Sequence, residues 1–393
     1  MLNLKKNPPL SLYIHLPWCV KKCPYCDFNS HAVKDNSFPE EKYINALISD
    51  LDTELPRIWG RNIVSVFIGG GTPSLFSANA METLFSALRA RLTLHPEIEI
   101  TLEANPGTAD ADNFKAYRDI GINRLSIGVQ SFNDEKLHLL GRIHNGAEAE
   151  HACEIARQSG FEDINLDLMF GLPGQTIEHA LDDVQTAIGL KLDHISWYQL
   201  TIEPNTLFHA SPPLLPGDDV IWDMQQQGQQ LLAQNGFKQY EVSAYATHRH
   251  RCLHNSNYWQ FGDYLGLGAG AHGKLTDVAN GQINRYIRHR IPERYISLAG
   301  TEDVISHSRI LTQAEIPLEF MMNALRLNEG FHPSLFLDMT GLPLSCIQQP
   351  LELAEHKGLI DWNIDKIKPT AQGQRYLNDL LQFFMPVEKQ HTA

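Results

Sequence analysis

Residues 17–28 read Pro-Trp-Cys-Val-Lys-Lys-Cys-Pro-Tyr-Cys-Asp-Phe (PWCVKKCPYCDF), which places Cys19, Cys23 and Cys26, half of the chain's six cysteines, within eight residues. A C-x3-C-x2-C loop can wrap three thiolates round three corners of a cuboidal [4Fe–4S] cluster, whereas a fourth cysteine would close the last iron. An open coordination position is what makes a metal site reactive. A small molecule bearing an amine and a carboxylate can chelate that iron. The alternative is a three-cysteine zinc site completed by His15 or His31, neither of which has zinc-finger spacing. Cys153, Cys252 and Cys346 stand singly, so the thiols do not read as a disulfide framework.

Outward from this loop, short apolar runs alternate with helical periodicity up to about residue 245. Strands are expected at 12–16, 64–69, 99–103, 124–129, 163–170 and 195–200. Helices are expected at 40–55, 79–92, 110–120, 147–159 and 176–188. Such alternation builds parallel βαβ units with right-handed crossovers, either as a full or partial barrel or as an open sheet. The cysteine loop and the segments GGGTP (69–73), EANP (103–106), GVQSF (128–132) and LDLMFGLPG (166–174) all fall at or just past strand carboxyl ends. In both architectures that rim is where sites are assembled.

The rim segments have chemistry of their own. The glycines of 69–71 allow close backbone approach to a ligand. Glu103 is a strand-end carboxylate suited to an ammonium or a ribose hydroxyl, and Asp167 sits in an apolar strand where it needs hydrogen bonds. Gln130 and Arg142 supply polar reach, and an arginine there can pair with a carboxylate.

Bulk properties bound the function. The formal charge is −14, from 32 basic against 46 acidic residues, which argues against nucleic acid and against loose adsorption to anionic lipid. The 43% hydrophobic content, with no signal peptide in the first fifteen residues and no membrane-length apolar run, points to a cytoplasmic globular protein. After 245 the pattern changes: 248–259 (HRHRCLHNSNYW) is loop-like, and a glycine-rich stretch follows at 266–273. Residues 310–385 then read as helix, turn, helix, turn, helix, short hairpin and final helix, in the order of a winged helix. Residues 311–393 carry 6 Lys+Arg against 10 Asp+Glu, so that module is expected to serve packing or a partner rather than DNA. The expected division is a barrel with its cluster loop at 1–245, a loop and connection at 246–300, and a helical domain at 301–393. The segment MQQQGQQ (224–230) is expected as a solvated helix face.

The spacing C-x3-C-x-aromatic-C, with Tyr25 in the aromatic slot, resembles the signature of the radical S-adenosylmethionine (SAM) superfamily. That resemblance implies a partial (β/α)6 barrel and a [4Fe–4S] cluster that binds SAM and, once reduced by an electron donor, can cleave it to a 5′-deoxyadenosyl radical. The order PWCxxxCxYC, GGGTP, EANP, GVQSF, RIH, DLMFGLPGQT is most similar to the oxygen-independent coproporphyrinogen III oxidase group. By that match Tyr13, Tyr25, Gly70, Gly71, Thr72, Glu103, Gln130, Arg142 and Asp167 fall on SAM-contacting positions. Two features depart from the oxidases: Phe28 stands where they carry a further cysteine, and the segment before the cluster is short. Residues 254–259, HNSNYW, resemble the HNxxYW signature of HemW-type heme chaperones, relatives of the oxidase that deliver heme to heme proteins. The resemblance implies heme bound at His254, Asn255, Tyr258 and Trp259, with recipient heme proteins that include membrane-associated respiratory enzymes. His248, His250 and Cys252 stand nearby as alternative ligands. The rival reading is a functioning porphyrinogen oxidase, or a radical-SAM enzyme on another substrate.

Overall fold

The computed structural model describes residues 2–33, 37–248 and 250–386. Six parallel strands form its centre: β1 (Leu10–Leu16), β2 (Asn62–Gly70), β3 (Thr93–Ala104), β4 (Arg124–Gln130), β5 (Asp163–Phe170) and β6 (His194–Gln199). Each pairs with the next in register, and the helices between them cover the outer face.

Alternation within the strands sorts the two faces. Along β1, Leu10, Leu12, Ile14 and Leu16 are buried in the main hydrophobic core, which also takes up Tyr43, Ile44 and Leu47 of the helix Glu40–Glu54. The intervening Ser11, Tyr13 and His15 face the other way, because successive side chains of a strand point to opposite faces. The helices start where side chains cap them: Asp110 accepts from the Asn113 amide at 3.0 Å, and Asn145 and Glu148 close a reciprocal capping box.

Where residues 246–300 were expected as a loop and connection, the sheet continues. Strand β7 (Lys238–Gln239) and β8 (Ala244–Ala246) extend it beyond β6. On the other side β9 (Asp263–Leu267) pairs in parallel with β1, and β10 (His272–Asp277), β11 (Gln282–Arg288) and β12 (Ile305–Ile310) follow antiparallel. The order is β12-β11-β10-β9-β1-β2-β3-β4-β5-β6-β8-β7. Leu265, Leu267, Leu275, Tyr286 and Tyr295 join the same core as β1, so no compositional break marks the transition.

A second core holds the C-terminal domain. Its elements are the helices Ile316–Ala324, Ser334–Thr340 and Ser345–His356, the hairpin Ile360–Trp362/Ile367–Pro369, and the helices Ala371–Arg375 and Leu377–Gln382. This is the expected winged-helix order. Leu2 and Leu4 pack into this core rather than the first. The domain is fastened to the β7–β8 side by Glu329 with Lys238 and Arg251, by Arg326 with Glu241 at 2.9 Å, and by the Asn328 amide donating to the Tyr240 carbonyl.

The glutamine-rich segment is part of the helix Asp218–Gln234, and only one of its faces is solvated. Gly228 turns inward, where an added Cβ would lie 2.0 Å from the ring of Trp197, itself fully buried on β6. Gly228→Ala is therefore expected to destabilise the fold by about 1–3 kcal/mol, the usual range for overpacking a core. Urea unfolding followed by tryptophan fluorescence checks this; an unchanged midpoint would refute the contact.

Candidate functional site: a cysteine-lined cleft above a second chamber

The cysteine loop lies over the carboxyl ends of the strands. Its base is a two-residue parallel pairing of Trp18–Cys19 with His31–Ala32. The Trp18 ring packs on Phe38 and Tyr43, and Asn29 donates to the carbonyls of Ala269 and Arg290 at 2.9 and 2.8 Å. Residues just after the loop and residues 240 or more positions later thus hold its two ends.

A cleft of about 150 Å³ opens under this loop, lined by Cys19, Cys23, Cys26, Tyr25, Gly70, Gly71, Thr72, Glu103, Gln130, Arg142 and Asp167 among others. It gathers the three cysteines and eight of the nine positions assigned to SAM by resemblance. The ninth, Tyr13, lies one layer deeper, with its hydroxyl 2.9 Å from His15 Nδ1. Among the described residues no three His, Cys, Asp or Glu side chains converge on a single-ion position. Both ring nitrogens of His15 are engaged, Nε2 with the Asn29 carbonyl at 2.8 Å, which leaves none for zinc.

Electrostatics in the cleft are mixed by design of the strands. Burial pushes the Cys19 thiol up to about 11 and raises Cys26, so their thiolates need cationic partners. Arg142 brings a cation to the third cysteine, with Nη1 3.7 Å from Cys23 Sγ and Nη2 donating to the Gly128 carbonyl at 2.6 Å. Its Nε is buried with no partner among the described residues. Glu103 is pushed up to about 7, by burial first and the nearby Asp167 second, although the Gly70 amide donates to it at 3.0 Å. Burial also raises Asp167, against hydrogen bonds from Ser126 and Asn165, both at 2.9 Å.

Two backbone features shape the wall. A Cβ on Gly71 would meet the Trp18 carbonyl oxygen at 2.5 Å, so only glycine lets the loop and strand end approach this closely. Gln130 has φ +70°, rare for a non-glycine residue, beside a register shift between Gly128 and Gln130. The bulge turns the Gln130 side chain into the cleft, where the Tyr198 hydroxyl donates to it at 2.9 Å. Tyr198 and Ser126 were missed from the sequence; counting by twos along β4 and β6 reaches both.

These features fit the implied groups. Three thiols edge one cleft without forming a single-ion site. Glu103 and Asp167 suit the ammonium and sulfonium charges of SAM, and the free Arg142 Nε suits its carboxylate.

Below the cleft, sharing Phe28, Glu103, Ser126 and Asp167 with it, a chamber of about 470 Å³ runs toward the amino ends of the strands. His254, Asn255, Tyr258 and Trp259 all line it. The segment expected as a loop is here a helix, Leu253–Trp259, because the Glu99 carboxylate accepts from the Leu253 and His254 amides, each at 2.9 Å, and Cys252 caps its start. Asn257 fixes the helix to β1 and β9 by donating to Ser11 Oγ at 2.8 Å and to the Asp263 carbonyl.

His254 is only 2% exposed. Its Nδ1 lies 3.0 Å from Ser65 Oγ; since Ser65 donates its own proton to Ser11, Nδ1 carries the hydrogen. The lone pair is therefore on Nε2, which is buried without a partner among the described residues. Burial lowers the imidazole pKa to about 3, so the ring is neutral. Two of the three alternative ligands have partners: His250 Nδ1 sits 2.6 Å from Asp163, and Cys252 is a buried cap whose thiol burial pushes up to about 12. Trp259 is overlaid by the Arg326 guanidinium at 4.3 Å, which links this helix to the C-terminal domain.

A curved parallel sheet with a three-cysteine loop over its carboxyl rim defines a radical-SAM protein, and the sequence profile of the radical SAM superfamily matches residues 13–187. A second profile, of the HemN C-terminal domain, matches residues 311–376. The chain is 50% identical over 389 residues to the heme chaperone HemW of Haemophilus influenzae, covering 98% of this chain and 100% of that one. It is also 50% identical over 380 residues to the heme chaperone HemW of Escherichia coli, covering 97% and 99%. The solved coproporphyrinogen III oxidase HemN of E. coli shares the fold, with a TM-score of 0.81 at 24% identity over 96% of this chain and 90% of that one. The chain belongs to the HemW family of heme chaperones. Among its described residues no helix is long and apolar enough to cross a membrane.

Proposed function

We propose that this protein binds heme in the chamber through His254 and passes it to recipient heme proteins, membrane-associated respiratory enzymes among them. The observation that carries the reading is the His254 ring itself. Its tautomer is set by Ser65, its Nε2 lone pair is free and neutral, and it opens on a cavity walled by Phe67 and Tyr258, each with its ring 5.0 Å away. A neutral imidazole nitrogen is a common axial ligand of heme iron.

Cys19, Cys23 and Cys26 would hold the [4Fe–4S] cluster, while Glu103, Asp167 and Arg142 orient SAM by charge. Together, when bound and supplied with an electron donor, these groups provide one-electron chemistry at the rim. Phe28, 61% exposed at the mouth, takes the place of the oxidases' additional cysteine, and the protein is read as lacking porphyrinogen oxidase activity in a cytoplasmic setting.

The test is an anaerobic heme titration of the cluster-loaded protein, followed by absorbance. The wild type is expected to develop a histidine-ligated band that His254→Ala loses while keeping its cluster absorbance and circular dichroism. An identical spectrum and affinity in His254→Ala would sink the assignment. Coproporphyrinogen supplied with SAM and reductant is expected to give no protoporphyrinogen.

A further inference from the structure

Arg124 opens β4 on the inner face of the barrel and is 3% exposed. It lines the chamber, yet among the described residues its guanidinium makes no hydrogen bond and no ion pair. The nearby carboxylates are committed elsewhere. Glu99 caps the helix Leu253–Trp259, and Asp163 holds His250 at 2.6 Å. Burial works against its charge, but Cys252, Glu99, Tyr240 and Asp163 nearby more than offset that and keep the guanidinium ionised; its N–H donors, with no contact partner among the described residues, suit an arriving anion.

Its surroundings specify the partner. Thr101 is the register neighbour of Arg124 on β3, and its Oγ1 is buried without a hydrogen-bond partner among the described residues. Phe67 is in turn the register neighbour of Thr101 on β2, and His254 lies over Phe67. One row across three strands therefore presents an aromatic ring, a hydroxyl and a guanidinium, with the free imidazole nitrogen at its apolar end. Two strand spacings, about 10 Å, separate the Phe67 and Arg124 backbones. That is the scale on which the carboxylates of heme stand off from its iron. A guanidinium is the side chain best matched to a carboxylate, which it can meet with two parallel hydrogen bonds.

We propose that Arg124, with Thr101, is the anchor for a heme carboxylate inside the barrel, the far end of a site whose near end is His254. This rests on the heme reading above and adds to it an orientation: iron toward the HNxxYW helix, an acid side chain toward the start of β4. It also makes the ligand class narrower, since a tetrapyrrole without free acid groups would leave those N–H donors without an anion.

The experiment compares heme with its dimethyl ester in the cluster-loaded full-length protein, by absorbance titration. Wild type is expected to bind heme at least tenfold more tightly than the diester. Arg124→Gln is expected to lose about tenfold in heme affinity and to bind acid and ester alike, with Thr101→Val moving the same way by less. Equal binding of acid and ester by the wild type overturns the proposal without any variant, so poor folding of Arg124→Gln would not shield it. Undiminished preference for the acid in a folded Arg124→Gln overturns it as well. If no His254-dependent band forms, the iron-free protoporphyrin and its diester decide by fluorescence quenching. An Arg124-dependent preference for the acid supports the anchor while the His254 ligand fails, and no preference removes the anchor.

Discussion

Glu103→Gln is expected to weaken SAM binding by roughly 30-fold or more, since truncating one side of a buried charge pair costs about 2–5 kcal/mol and 1.4 kcal/mol is tenfold. The larger signature is in the pH dependence. Burial and Asp167 hold the Glu103 carboxyl near 7 in the unliganded protein. A cationic ligand pairs with the ionised form, so wild-type affinity should rise with pH through about 7 and a proton should be released on binding. Glu103→Gln should bind with no such slope. Stability runs the other way: the folded-state pKa lies above the ordinary carboxylate value, so this group's contribution is fully present below about 4.5 and is lost as pH rises to about 7. At pH 8 the unliganded glutamine variant should therefore unfold later than the wild type. Anaerobic calorimetry in two buffers of different ionisation heat measures the proton. Identical heats in both, for the wild type near pH 7, would rule out Glu103 as the titrating partner.

Asp50→Ala should cost about 3–5 kcal/mol, the range for removing one member of a buried ion pair. Asp50 lies on the helix Glu40–Glu54 and accepts from Arg288 Nη2 at 2.9 Å and from the Tyr295 hydroxyl at 2.7 Å, in addition to a shorter contact with Arg288 Nε. Asp50 and Arg288 have no exposed side-chain surface. With Asp50 gone, Arg288 keeps Glu54 at 3.1 Å as its carboxylate partner, in a place water cannot reach. Because Arg288 ends β11, the loss should loosen the β9–β12 extension from the barrel before the rest. The matched replacement Asp50→Leu with Arg288→Met should recover most of the stability, because it leaves no charge unpaired. Urea denaturation of the three proteins reads this directly; a loss under 1 kcal/mol in Asp50→Ala would show that solvent reaches the pair.

How far the sequence carried differs from residue to residue. The apolar runs 12–16 and 163–170 marked strands, and the cysteine spacing marked a cluster loop on the rim. GGGTP and EANP were legible as rim segments because they interrupt a regular pattern. Gln130 was legible as polar reach, but the bulge that aims it was not, since a register shift is a relation between two strands. The helix Leu253–Trp259 was hidden because its cap is the side chain of Glu99, more than 150 residues earlier.

By itself, then, the sequence determined the parallel strand–helix alternation, the three-thiol loop and a rim carrying carboxylates, because period-two alternation, close cysteine spacing and turn residues are local signals; the barrel and SAM followed from the family resemblance. Only the tertiary structure decided that β9 closes against β1, that the HNxxYW helix forms a wall of a chamber, that His254 Nε2 is without a partner among the described residues, and that Arg124 is buried against the same chamber. Those facts depend on which distant side chains exclude water from one another, and burial of that kind leaves no mark in any single stretch of chain.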